Sequence, residues 1–116
     1  MQIEFYCDLY ISDIWKNKKE KIVEKLKENK LQPRVHVIAF AQGEQNQLEI
    51  FSSVLFKQHV FDNSRIFVVG IASDYEDALS IVEEIAGTVY EKTKGLDIRR
   101  FLMERQEDLI KAGYKS

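Results

Sequence analysis

The chain has 116 residues, 45% of them hydrophobic and 31% charged, with a formal net charge of −2 at pH 7. That length holds one domain with one core, and that composition excludes disorder and any need for a metal or a disulfide to fold. Cys7 is the single cysteine and has no partner for an internal bridge, and the net acidity argues against nucleic acid as a partner.

The charge is uneven: residues 1–42 carry +2 and residues 43–116 carry −4. The N-terminus places Glu4 early and has no basic region ahead of an apolar run, so no signal peptide is expected. The longest apolar stretch, Ile66 to Ala72, is too short to cross a bilayer. These features predict a cytoplasmic protein with no membrane contact. Pro33 is the only proline, and no linker or repeat interrupts the chain, so one domain spanning residues 1–116 is expected.

Gln2 to Ile11 alternates strictly. Ile3, Phe5, Cys7, Leu9 and Ile11 fall on one side, and Gln2, Glu4, Tyr6, Asp8 and Tyr10 on the other. That period of two predicts a strand with one apolar face. Ser12 or Asp13 then caps a helix reaching about Asn29, with Ile14, Trp15, Ile22, Val23 and Leu26 as its apolar positions. Leu31 to Arg34 breaks it, and Val35 to Ala41 reads as a second strand. After a polar loop over residues 41–46, Gln47 to Phe61 is expected to be helical, on the stripe Leu48, Phe51, Leu55. A strand competes there, because Leu48, Ile50, Ser52, Val54 and Phe56 also alternate; length favours the helix.

Asp62-Asn63-Ser64 marks a turn before the apolar run Ile66 to Ala72, whose composition suits a strand covered on both faces. Ser73-Asp74-Tyr75-Glu76 has the pattern of a capping box, with Ser73 as the cap. The helix it starts carries Ala78, Leu79, Val82, Ile85, Ala86 and Val89 at helical spacing and ends near Lys94, with Gly95 as a stop. Asp97 caps a last helix bearing Ile98, Phe101, Leu102 and Leu109. The order β-α-β-α-β-α-α predicts an α/β fold: a small parallel three-stranded sheet with helices on both faces. The third strand should lie centrally, and the first at an edge.

Parallel α/β domains bind ligands beyond the C-terminal ends of their strands. Ser12 and Asp13, Gln42, Glu44 and Asn46, and Ser73 and Asp74 fall there, and the ligand-binding candidates are Gln42, Glu44, Asn46, Ser73 and Asp74. The chain has no P-loop and no G-x-G-x-x-G, and Asp13, Glu44 and Asp74 in the strand-end loops would repel an anion, so nucleotide binding of the familiar kinds is not expected. Cys7 shares the face of Phe5 and Leu9 and reads as a small buried apolar residue. His36 and His59 stand apart, without zinc-ligand spacing, so no metal or cofactor is expected. Along the first helix Lys16, Lys18, Lys19, Lys21, Lys25, Lys27 and Lys30 intermix with Glu20, Glu24 and Glu28, the pattern of a solvated face.

Tyr6 and Tyr10 on the polar face of strand one, with Trp15 just beyond, form a candidate contact surface. A second copy is expected to cover it, giving a homodimer; the competing outcome is that Phe101, Leu102 and Leu109 of the last helix fold back over it and leave a monomer. With no nucleophile–base pair, metal cluster or phosphate loop in view, the expected function is a non-catalytic protein-interaction or self-assembling module. The alternative is a small-ligand-binding protein or small enzyme with its site at the strand ends.

Overall fold

The computed structural model describes residues 2–30, 32–41, 47–58 and 65–113. β1 spans Gln2–Ile11 and leads through a 3-10 helix, Asp13–Lys18, into α1, Lys19–Lys27. β2 is His36–Phe40 and β3 is Leu48–Ser52, followed by a second 3-10 helix, Ser53–Gln58. β4 is Arg65–Ala72, α2 is Tyr75–Thr93 and α3 is Ile98–Lys111. No helix among the described residues is long and apolar enough to cross a membrane.

The fold is α/β, but among the described residues the sheet has four strands in the order β1-β4-β2-β3 and is mixed. Only β1 and β4 run parallel; β2 is antiparallel to both β4 and β3. The expectation of a parallel three-stranded core is therefore corrected. Its error lies in Gln47–Phe61, expected as a helix. Leu48–Ser52 is a strand paired with β2 from Phe40↔Leu48 to His36↔Ser52, and residues 59–61 lie outside the described set. Both periodicities fit that segment locally. Pairing decides, because β3 takes up the backbone groups along an edge of β2 that would otherwise stay unbonded.

The apolar β4 is central and β1 lies at an edge, as their compositions imply. Helices cover both faces. On one, Phe5 and Leu9 of β1 pack with Val37 and Ala39 of β2, Val68 and Ile71 of β4, and Ile22 and Leu26 of α1. On the other, Tyr6, Ile38 and Val69 pack under Ile81, Ile85 and Val89 of α2 and Leu102 of α3. Each fully buried Val, Leu, Ile or Phe among them contributes roughly 1.5–3 kcal/mol on burial.

β1 is not a regular partner of β4. Phe5 pairs with Val68, yet Tyr10 pairs with Gly70, so β1 bulges between them. A Cβ on Gly70 would stand 3.0 Å from Ile38 Cδ1 and 3.4 Å from Tyr10 O, so the strands close around a missing side chain. Cys7 is buried inside the bulge, and its N–H donates to Gln106 Oε1 of α3 at 2.8 Å.

The helix ends adjust the sequence reading by one residue in two places. The N-cap of α2 is Asp74, which accepts from Asp77 N at 2.7 Å, while Ser73 lies just outside. At the C-terminus the left-handed residue is Lys94, with φ of 59°, rather than Gly95. Asp97 caps α3 as expected, accepting from Arg100 N at 3.2 Å. The Gln47 side chain ties the start of β3 to the turn before α3, donating to Leu96 O and accepting from Ile98 N.

Candidate functional site

The mixed topology decides what meets at each end of the sheet. Ser12 follows β1, and its N–H donates to Ile71 O of β4 at 2.9 Å. His36, which opens β2, pairs with Ala72, which closes β4. The reversed β2 thus brings the residues before it, Gln32 to Val35, to the end where β1 and β4 finish. Phe40 and Ala41 run to the opposite end. Gln42, Glu44 and Asn46 lie outside the described residues.

Segment 32–35 is held firmly. Gln32 Nε2 donates to Ile22 O of α1 at 3.3 Å, Ser53 Oγ donates to Gln32 O at 2.6 Å, and Ser53 N donates to Val35 O at 3.0 Å. Between this segment and α1 lies a cleft of about 290 Å³ lined by Trp15, Lys18, Lys21, Ile22, Lys25, Gln32, Pro33, Arg34 and Val35. A second cavity of about 380 Å³ adjoins it through Trp15, Lys18 and Arg34 and is completed by Ile14, Ser73 and Asp74. Of the sequence candidates, Ser73, Asp74 and Trp15 therefore share one site.

The cleft is cationic. Among the described residues, Lys18, Lys21, Lys25 and Arg34 make no ion pair, as Lys19, Lys27, Lys92, Lys94, Lys111 and Arg99 also do not, but these four line one cavity together. Lys18 Nζ lies 5.7 Å from the centre of the Trp15 ring. The Trp15 indole N–H is buried and has no acceptor among the described residues.

The first-helix lysines were legible as a set but not as a site. At about 100° per residue along α1, Lys21 and Lys25 share one face while Glu20 turns away, and Lys18 reaches the same cleft from the end of the 3-10 helix. Glu20 lines a different cavity, with Phe5, Cys7 and Leu9. Arg34 completes the cluster from beyond the end of α1, and the reversal of β2 brings it there.

Beside the second cavity, Asp77 anchors both parallel strand ends. Its Oδ2 accepts from Ser73 N and from Ser73 Oγ, each at 3.1 Å. The Ser12 hydroxyl, with these Ser73 donors, holds the Asp77 carboxyl below the usual carboxylate range, against the opposing effect of burial. Ser12 makes no side-chain cap bond to the helix that follows it.

Tyr6 and Tyr10 belong elsewhere. Tyr6 is 2% exposed, with Leu102 of α3 in its core cluster, and it stacks on the half-buried Tyr10 at 6.4 Å between ring centres. The chain's own last helix covers the face that the sequence offered to a second copy, which leaves Tyr6 almost no surface for a partner. Burial pushes the Tyr6 hydroxyl up to about 12, against the pull of Arg105, whose guanidinium donates to Asp8 Oδ2 at 2.9 Å. Tyr10 is raised as well, by burial first and then by Glu84 and Asp8.

Among the described residues, no group of three or more His, Cys, Asp or Glu side chains gathers as metal ligands would. Comparison of the chain with protein-family models, with curated proteins and with solved structures finds no match.

Proposed function

We propose that this protein is a non-catalytic binding module whose ligand is anionic and occupies the cleft at Trp15. The observation that carries the reading is the convergence of Lys18, Lys21, Lys25 and Arg34, none of them ion-paired, around one cavity with an aromatic wall. Neighbouring like charges repel, and an anion seated among them relieves that repulsion while making charge-assisted hydrogen bonds. Ile22, Pro33 and Val35 give the cleft the apolar lining that ligand pockets share.

Thermal unfolding with added pyrophosphate, against sodium chloride at equal ionic strength, tests this. A ligand of the folded state at about 100 times its Kd stabilises by roughly 2.7 kcal/mol. That shifts Tm by several degrees in a domain of this size. Arg34→Ala and Lys21→Ala should each reduce the shift. Equal Tm in pyrophosphate and chloride would contradict the reading.

For self-assembly, the free edge of β1 is the surface we put forward, since no described strand pairs along its outer side. A second copy could extend the sheet there, and light scattering across a dilution series reads the result; a monomer at high micromolar concentration contradicts it. A buried free thiol at Cys7 agrees with a reducing compartment and supports placing the protein in the cytoplasm.

A further inference from the structure

We propose that the ligand of the Trp15 cleft is a nucleoside polyphosphate, with its phosphate chain along Lys21 and Lys25 opposite Arg34 and its nucleoside in the adjoining cavity beside Trp15, Ser73 and Asp74. This rests on the anion-binding reading and goes beyond it to the chemical class of the ligand.

The first argument is the shape of the charge. Lys21 and Lys25 share one face of α1, four residues and roughly 6 Å apart along its axis, and Lys18, which ends the preceding 3-10 helix, extends that row beside Trp15. A single phosphate or carboxylate meets one or two of these ammonium groups. A chain of linked phosphates meets the row and Arg34 together, and Arg34 offers the forked geometry that suits phosphate oxygens.

The second argument is that the site has two chemically unlike ends. Lys21 and Lys25 line only the first cavity, Ser73 and Asp74 line only the second, and Trp15, Lys18 and Arg34 stand at the junction. Asp74 would repel an anion that filled both cavities. It would accept hydrogen bonds from ribose hydroxyls or from an exocyclic amine of a base. A nucleoside polyphosphate has the same division: a polyanion at one end, and a neutral, donor-bearing, planar group at the other. Its base matches the remaining feature, the Trp15 side chain that lines both cavities and offers an aromatic surface for stacking. Lys18, now over the Trp15 ring, is free to turn to the phosphates as the base takes its place.

Trp15 is the only tryptophan, so its fluorescence reports on the site alone. The full chain is titrated with ATP, GTP and UTP, and with tripolyphosphate, adenosine and a twelve-residue oligothymidylate, with calorimetry in parallel. At least one nucleoside triphosphate should bind about tenfold or more tighter than tripolyphosphate, and adenosine should bind far more weakly than either. Lys21→Ala with Lys25→Ala should weaken the triphosphates by about tenfold or more, while Lys92→Ala with Lys111→Ala, which lowers the net charge equally, should not. Asp74→Ser keeps an oxygen to cap α2 and should erase the preference over tripolyphosphate without abolishing tripolyphosphate binding.

Equal binding of tripolyphosphate and the triphosphates, indifferent to Asp74→Ser, would overturn this proposal and leave the anion-binding reading standing. Tighter binding of the oligothymidylate than of every triphosphate would also overturn it, in favour of a single-stranded nucleic acid. No response to any phosphate would overturn both.

Discussion

Gln106 of α3 accepts the backbone N–H of Cys7 through its side-chain oxygen, at 2.8 Å and with both residues buried. The bulge in β1 withdraws that amide from the β1–β4 ladder, and the glutamine replaces the missing strand carbonyl. Gln106→Leu keeps the volume and strands the donor. It should lower the unfolding free energy by roughly 1–3 kcal/mol, read as a lower urea midpoint at unchanged slope. An unchanged midpoint would mean that water reaches Cys7 and the bulge is not held from α3.

Asp77 should govern the acid side of stability. Its folded-state pKa lies below the ordinary carboxylate value because Ser12 and Ser73 donate to it. A depressed pKa contributes stability that is present above the unfolded value, near 3.9, and is lost as pH falls through the folded one. Asp77→Asn should flatten the fall in stability below about pH 4. Urea midpoints measured from pH 2 to pH 6 give the comparison; parallel curves for the two proteins would rule out the assignment.

Tyr6 should govern the alkaline side, with the opposite sign. Its pKa rises to about 12 on folding, so the folded state keeps a proton that the unfolded state has released. That contribution is complete below the unfolded value of about 10 and is lost as pH rises from 10 towards 12. Absorbance of tyrosinate near 295 nm should show Tyr6 ionising late, together with unfolding. The buried Tyr6 hydroxyl has only the Arg105 guanidinium as a weak polar neighbour, so Tyr6→Phe should change stability at pH 7 by less than about 1 kcal/mol. A clear loss of stability in Tyr6→Phe would show that the hydroxyl is bonded.

Gly70 is where β1 and β2 both meet the centre of β4. Ile38 Cδ1 lies at 3.0 Å from an added Cβ, and Ile81 Cγ2 at 3.5 Å. Ile38 can yield to one methyl but not to a branched side chain, so Gly70→Val should destabilise by roughly 1–3 kcal/mol and Gly70→Ala by less. Equal stability of the two variants would show a roomier sheet centre.

Much of this fold is written locally. The alternation of Ile3 to Ile11 specifies β1, the apolar run at Ile66 to Ala72 specifies the centre of the sheet, and Asp97 marks the start of α3. β3 is not written that way. Leu48 to Ser52 satisfies two periods at once, and only its pairing with β2, set by the whole chain, selects the strand. The candidate site was half legible for the same reason. Ser73 and Asp74 follow from where a strand meets a helix. Arg34 joins Lys21 and Lys25 only because β2 runs antiparallel to β4, and no spacing within the sequence carries that information.

The central claim is that an anion sits against Trp15 between α1 and the segment before β2. Because the chain has one tryptophan, its 15N-labelled spectrum has one indole N–H resonance. Titration with pyrophosphate should shift that resonance in a saturable way. It should also shift the amides of Lys18, Lys21, Lys25 and Arg34, and leave those of α3 unmoved. An indole resonance that stays fixed while scattered surface lysines respond would contradict the account.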